Sequence, residues 1–92
     1  MKFVWDEEKN LANIKKHKVS FVQAVHSFSD ALRKEYYDDG HSGFEKDRSI
    51  VVGFAVNAVL IVSFAEPDTE TIHIISARKA KKLELEALYG NA

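Results

Sequence analysis

Apolar residues in the first 30 positions recur at helical spacing. The pattern predicts a short strand over residues 3–5, then a helix from Glu7 to about His17 with Asp6 as its N-cap. Leu11 and Ile14 form a modest apolar stripe on this helix. Ser20 is placed to cap a second helix that ends near residues 29–30. Its predicted buried face has the spacing i, i+3, i+4, i+7 and consists of Phe21, Ala24, Val25 and Phe28.

From Leu32 onward the spacing of the apolar positions changes. LRKEYY is ambiguous, but its two tyrosines favour a strand. RSIVVGFAV alternates with period two, and AVLIVSFA is apolar on both faces, as in a central strand. The predicted strands are LRKEYY, RSIVVGFAV, AVLIVSFA and TIHIIS, and the polar segment DDGHSGFEKD predicts a loop after the first of them. Residues 56–58 predict a hairpin connection, and EPDTE predicts a turn. A last helix is predicted from about Ala77 to Tyr89. Its predicted inward-facing residues are Ala80, Leu83, Ala87 and Leu88.

This order of elements predicts an α+β fold. We expect two N-terminal helices, an antiparallel meander sheet of about four strands and a C-terminal helix, all within a single domain spanning residues 1–92. The chain has no cysteine, which excludes disulfides and favours a reducing cytoplasm. No apolar run is long enough for a signal peptide or a membrane-spanning helix, so we expect a cytoplasmic protein without a membrane partner.

Basic residues cluster locally although the net charge is only −1. The clusters lie at 15–18 and 78–82, so any site for a polyanion must be a local patch. In the second cluster Arg78, Lys79, Lys81 and Lys82 stand at the predicted amino end of the last helix, where each exposed cation costs about 0.3–1 kcal/mol. One explanation is pairing of the lysines with Glu84 and Glu86, at about 0.2–0.5 kcal/mol per pair. The other, which we favour, is a phosphate bound by free helix N–H groups and cations.

Two separated segments resemble the BrnT family of bacterial toxins, and the resemblance covers nearly the whole chain. The segment FVWDEEKNLANIKKHKVSF resembles the family's opening, and IHIISARKAKKLE resembles its closing signature. The opening matches are Phe3, Trp5, Asp6, Lys9, Asn13, Lys16, His17, Val19 and Phe21. The closing matches are Ile72, Ile74, Ile75, Ser76, Ala77, Arg78, Ala80 and Glu84. The chain departs from the family at His73, where Arg is usual, and at Lys18, where Gly is frequent.

The resemblance implies a ribonuclease toxin of a type II toxin–antitoxin system with a fold similar to RelE. It also implies neutralisation by a small BrnA-like antitoxin that carries a DNA-binding part, so that DNA is a partner only indirectly. A non-catalytic module that docks an antitoxin, or contributes to DNA-binding repression, is the alternative.

Cleaving RNA without a metal requires a base for the 2′-OH, an acid for the leaving oxygen and cations for the charged transition state. The catalytic candidates are Arg78, Arg48, Glu45 and His17. Arg78 has the planar fork that suits phosphate oxygens, and a structural salt bridge is its alternative role. Glu45 is a candidate base in the loop. The four histidines show no metal-ligand spacing, so we expect neither a metal nor a cofactor.

Further cations are candidates for binding the RNA. They are Lys16, Lys79, His73, Lys82 and Lys9. Lys16 and His17 also have a structural explanation, since cations are favoured at the carboxyl end of a helix. Trp5 is expected in the core, with base stacking as its less favoured role.

Overall fold

The computed structural model describes residues 1–37 and 48–90. The helices are α1 (Glu7–His17) and α2 (Phe21–Val25), followed by a 3₁₀ turn (His26–Ser29) and, near the end of the chain, α3 (Lys82–Glu84). The strands are β1 (Lys2–Val4), β2 (Lys34–Tyr37), β3 (Ser49–Ala55), β4 (Ala58–Asp68) and β5 (Thr71–Lys79). A π-helical turn (Leu85–Tyr89) continues α3, and we call Lys82–Tyr89 together the C-terminal segment.

The five strands form one mixed sheet in the order β1-β5-β4-β3-β2. Strands β2 to β5 form the predicted antiparallel meander. The prediction of about four antiparallel strands was incomplete, because β1 joins the edge of β5 in parallel, with Phe3 opposite Ile72. Three residues are too few to reveal their partner strand, and a parallel pairing needs a long connection that the local pattern does not show.

The α1 and α2 helices and the 3₁₀ turn pack on one face of the sheet. The predicted buried face of α2 is confirmed, since Phe21 and Ala24 are fully buried, and Val25 and Phe28 pack against the same core. Trp5 also packs against this core, with its ring edge-to-face with Phe21 at 6.0 Å between centroids. Trp5 is half-buried and packs against the core, as expected of a core or staple residue.

The apolar stripe of α1 does not face the core. Leu11 is 59% exposed and Ile14 is 37% exposed, whereas Asn10 and Asn13 are buried. The two asparagines are buried because their amides satisfy backbone groups: Asn10 Oδ1 accepts from Phe21 N at 2.8 Å. A buried amide with its hydrogen bonds made costs little, so a polar face can pack against a sheet.

The last helix begins later than predicted. β5 continues through Arg78 and Lys79, and α3 starts only at Lys82, so the predicted start at Ala77 was wrong. Pairing of Arg78 with Ile61 on β4 keeps this stretch extended. Leu83 is 76% exposed and Ala87 is exposed, against the predicted inward face. Arg78 and Lys79 therefore do not lie in a first helical turn, and the helix-dipole cost assigned to them does not apply.

Among the described residues, no helix combines the length and apolar character needed to cross a bilayer.

Candidate functional site

A cleft of about 620 Å³ lies beside the carboxyl-terminal half of β5. The side chains of β3, β4 and β5 that alternate away from the helical layer contribute to it, while α1 and the C-terminal segment supply parts of its wall. The lining residues are Lys16, His17, Tyr37, Ile50, Ile61, Ser63, Ser76, Ala77, Arg78, Glu84 and Leu88. Ser63 and Ser76 are directly opposite each other on β4 and β5.

A β-bulge follows that serine pair. Ser63 is opposite Ser76, but the next residue, Phe64, is opposite Ile74, so Ile75 has no partner on β4. A bulge re-aims the side chains beside it and is common next to functional sites.

The carboxyl end of α1 reaches the cleft because Asn13 anchors the helix to β5. Its Nδ2 donates to Ala77 O at 2.8 Å, and its Oδ1 accepts from Ala77 N at 3.2 Å. The helix then ends within one turn, because Lys18 adopts the left-handed conformation with φ 62°. This geometry leaves Lys16 and His17 on the wall of the cleft, beside the residue that precedes Arg78.

Arg78 projects into the cleft and forms an ion pair with Glu84. Its Nη1 and Nη2 lie 2.8 Å from Oε1 and Oε2 of the carboxylate, and both side chains remain partly exposed. The hydrogen bond from Arg78, aided by the Lys81 N–H, lowers the pKa of Glu84 to about 2. The same pairing raises the pKa of Arg78, so at neutral pH the cleft holds one cation next to one anion.

Two hydroxyl groups fasten the end of the C-terminal segment to the rest of the chain. Tyr36 Oη donates to Leu88 O at 2.7 Å, and Tyr89 Oη donates to Asp30 Oδ2 at 2.6 Å. Burial acts to raise the pKa of Asp30, but hydrogen bonds from Tyr89 and from two backbone N–H groups outweigh it and lower that pKa. These contacts and the Arg78–Glu84 pair hold the segment along one side of the cleft.

The structure brings together three of the predicted site residues, Lys16, His17 and Arg78. Arg48 lies directly before β3, two residues from the lining residue Ile50, and does not itself line the cleft. Glu45 lies outside the described residues.

Four predicted RNA-binding residues do not line the cleft. His73 pairs with Ala65 at the other end of β5, five residues and roughly 16 Å of strand from Arg78. Lys9 is exposed in the first half of α1, while Lys79 and Lys82 are exposed just outside the lining set. Their roles in RNA binding stay predictions.

Several lining residues were not predicted from sequence, above all Glu84 and Tyr37. Glu84 was paired with a lysine at helical spacing, whereas it binds Arg78 six positions away across the turn between β5 and α3. Helical spacing could not find this pair, because Arg78 is in a strand. For Tyr37, the available signal was an aromatic residue at the predicted end of a strand, directly before a polar loop.

Among residues 1–37 and 48–90, no group of three or more His, Asp or Glu side chains is arranged to hold a metal ion. The donors that line the cleft are ammonium, imidazole, guanidinium and hydroxyl groups. Such groups suit a phosphate.

Comparison with known proteins adds to this geometry. The family model described as "Ribonuclease toxin, BrnT, of type II toxin-antitoxin system" matches residues 5–84. The chain belongs to the BrnT family. The match includes the closing segment and all of the opening segment from Trp5 onward, and it covers α1, the whole meander and the Arg78–Glu84 pair.

A solved structure of a BrnT toxin has the same fold. The crystal structure of the Brucella abortus ribonuclease toxin, BrnT, superimposes with a TM-score of 0.72 at 27% sequence identity. The alignment covers 89% of this chain and 99% of the Brucella chain. A search of curated protein sequences found no match. BrnT family membership therefore brings with it the description of a ribonuclease toxin of a toxin–antitoxin system.

Proposed function

We propose that this BrnT-family chain is a metal-independent endoribonuclease toxin whose RNA-cleaving site is the cleft beside β5. The observation that carries the proposal is the convergence of Lys16, His17 and Arg78 on one cleft, although Lys16 and Arg78 come from opposite ends of the chain. Three cationic or protonatable groups around a partly exposed space are the arrangement that a phosphodiester requires. The family description supports RNA as the substrate.

The reaction that these groups support is transesterification within the RNA. The ribose 2′-oxygen loses its proton to a base and bonds to the adjacent phosphorus, and the bond from phosphorus to the 5′-oxygen breaks. A proton delivered to that 5′-oxygen completes the step, leaving a 2′,3′-cyclic phosphate and a 5′-hydroxyl. Electrons stay paired, and no metal or redox partner is needed.

Each of the three cationic or protonatable residues has a role in this scheme. Arg78 stabilises the extra negative charge on the phosphorane-like transition state, and Lys16 holds a non-bridging or flanking phosphate oxygen. His17 transfers a proton, because an imidazole has one ring nitrogen that can accept a proton and another that can donate one. Glu84 is a poor base, since its pKa of about 2 keeps its affinity for a proton low.

The remaining candidates extend the proposal. Glu45 is proposed as the partner base and Arg48 as a second phosphate ligand. The exposed Lys79, Lys82 and Lys9 and the half-buried His73 are proposed to contact phosphates that flank the cleavage point. Such contacts contribute to affinity and to its salt dependence more than to the chemical step.

The decisive experiment is RNA cleavage in the presence of EDTA. The purified protein should cut single-stranded RNA and leave 2′,3′-cyclic phosphate ends. Arg78→Ala should lose most of this activity, at least about 100-fold, by analogy with removal of one charge-stabilising donor from an active site. Arg33→Ala is the matched control, because Arg33 is also ion-paired and partly exposed but lies outside the cleft. Intact RNA with folded wild-type protein contradicts the proposal, and cleavage abolished by EDTA contradicts metal independence.

The proposed partner is a small BrnA-like antitoxin in the cytoplasm, and the proposed effect is inhibition of translation and growth. Expression of the toxin alone should arrest growth, and co-expression of the antitoxin should relieve the arrest.

The alternative, a non-catalytic docking module, is favoured by one observation: Arg78 is already paired with a carboxylate. That alternative predicts that Arg78→Ala weakens antitoxin capture in a pull-down while RNA stays intact with either protein.

A further inference from the structure

Only some of the N–H groups of the Arg78 guanidinium have hydrogen-bond partners among the described residues. Arginine carries five N–H groups, and Glu84 accepts one from Nη1 and one from Nη2, each at 2.8 Å. A second Nη1–H makes a longer contact of 3.4 Å with Lys79 O. The Nε–H and the second Nη2–H have no hydrogen-bond partner among residues 1–37 and 48–90.

Those two N–H groups lie side by side on one edge of the guanidinium plane. Glu84 binds the end of the fork formed by the two terminal nitrogens, which leaves the side formed by Nε and Nη2 open. That side presents two parallel donors at the spacing of two oxygens of a phosphate. The Arg78 side chain is 37% exposed and lines the cleft, so a ligand in the cleft can reach it.

Glu84 is itself held in a defined position. Its Oε1 accepts the Lys81 N–H at 2.8 Å, which fixes the carboxylate at the first turn of α3. Both carboxylate oxygens face Arg78, so the plane of the guanidinium is set by Glu84 and not by the flexible arginine chain alone. A long side chain immobilised before the ligand arrives loses less entropy when it binds.

We propose that Glu84 is a positioning residue, which orients Arg78 so that its Nε–Nη2 edge binds a phosphodiester of the RNA. The inference deepens the proposed ribonuclease function and rests on it. Glu84 touches neither phosphate nor ribose, and it acts through Arg78. The opposite interpretation, in which Glu84 blocks Arg78 and an RNA phosphate must displace it, predicts the opposite sign for removal of the carboxylate.

Glu84→Gln distinguishes the positioning role and the blocking role of Glu84 from a role only in capping α3. Glutamine keeps an oxygen that accepts the Lys81 N–H, so the cap survives, while the paired carboxylate oxygens facing Arg78 are lost. We expect kcat for RNA cleavage to fall between about 10-fold and 100-fold with KM nearly unchanged, as for a misplaced active-site group. Glu84→Asp keeps the charge and both oxygens and should recover part of the loss. Glu86→Gln removes the same charge from an exposed position outside the cleft and should leave cleavage unchanged.

An unchanged or increased kcat for Glu84→Gln overturns the inference, and an increase identifies Glu84 as a competitor for Arg78. Circular dichroism and a thermal melt confirm that each variant is folded. Should Glu84→Gln fail to fold, Glu84→Asp carries the test, since it is expected to lose part of kcat without losing the fold.

A second measurement reads the open edge directly, without RNA cleavage. The Nε–H of Arg78 can be assigned in a ¹⁵N–¹H spectrum by its loss in Arg78→Lys, and inorganic phosphate is then titrated. We expect this signal to shift in the wild type and to shift less at the same phosphate concentration in Glu84→Gln. If the Nε–H signal of the wild type does not shift, phosphate does not bind the Nε–Nη2 edge of Arg78 and the inference is overturned. If the Nε–H signal shifts with phosphate but the protein cuts no RNA, phosphate binding by Arg78 stands and the ribonuclease proposal is rejected. If Glu84→Gln cleaves RNA with full kcat, only the positioning role of Glu84 is rejected.

Discussion

The side-chain amide of Asn13 bonds to both the N–H and the C=O of Ala77, a residue 64 positions further along the chain. β1 covers only the first three residues of β5, so within the part of the chain that the structure describes, the edge of β5 beyond His73 has no neighbouring strand on that side. At Ala77 the amide of Asn13 makes the backbone hydrogen bonds that a neighbouring strand would otherwise make. Its Nδ2 also donates to Val19 O at 2.8 Å. A residue that belongs to the family's opening pattern therefore joins α1 to the strand that carries Arg78.

Asn13→Ala should destabilise the fold. The substitution leaves the N–H and C=O of Ala77 and the C=O of Val19 without this partner in a buried place, which costs about 1–3 kcal/mol or more. Urea denaturation measures the change in free energy of unfolding. Leu11→Ala on the same helix is the control, because Leu11 is 59% exposed, and it should change stability by less than about 0.5 kcal/mol. Equal effects of the two substitutions would show that the amide bridge is unimportant.

Lys18→Gly should stabilise the protein. Lys18 ends α1 with φ 62°, a conformation that costs an ordinary L-residue roughly 1 kcal/mol and costs glycine little. Its Nζ lies 3.5 Å from Lys15 O, too long a contact to offset this cost. We expect a gain of about 1 kcal/mol in the free energy of unfolding, measured by urea denaturation.

The matched control for that prediction is Lys15→Gly, which places the same substitution inside the last turn of the same helix. There glycine should destabilise by up to about 1 kcal/mol. A loss of stability at both positions would contradict the left-handed conformation of Lys18.

The Arg78–Glu84 pair should make stability sensitive to acid. The folded-state pKa of Glu84 is about 2, below the ordinary value of 4.5, because Arg78 and the Lys81 N–H bind the ionised form. A lowered carboxyl pKa stabilises the fold above pH 4.5, and this contribution is lost as the pH falls towards 2. Thermal unfolding of wild type and Glu84→Gln between pH 7 and pH 2 should show a difference in Tm that shrinks over this interval.

Asp30, whose pKa is also lowered, contributes acid sensitivity to both proteins, so the difference between their melting temperatures isolates Glu84. Glu86→Gln should follow the wild type throughout, since Glu86 is exposed and lies outside the cleft. A Tm difference between wild type and Glu84→Gln that stays constant with pH would show that the ionised form of Glu84 does not stabilise the fold.

The sequence by itself determined the elements whose signals are local. Asp6 and Ser20 start their helices as predicted, because a cap is made within three residues. The strand β3 follows from its period-two alternation, and β4 follows from a run of residues that are apolar on both faces. For β2, whose four residues are all exposed, the signal was its two tyrosines. The two segments resembling BrnT were also sufficient to identify the family.

Only the tertiary structure decided the contacts that join distant segments. Periodicity placed Leu11 and Ile14 on the apolar stripe of α1, but long-range hydrogen bonds of Asn10 and Asn13 turned the other face inward. Strand pairing with Ile61 likewise kept Arg78 extended and let Glu84 reach it across a turn. The physical reason is that caps and alternation are satisfied by neighbours in sequence, whereas a buried amide or a paired guanidinium is satisfied by whichever group the fold brings beside it.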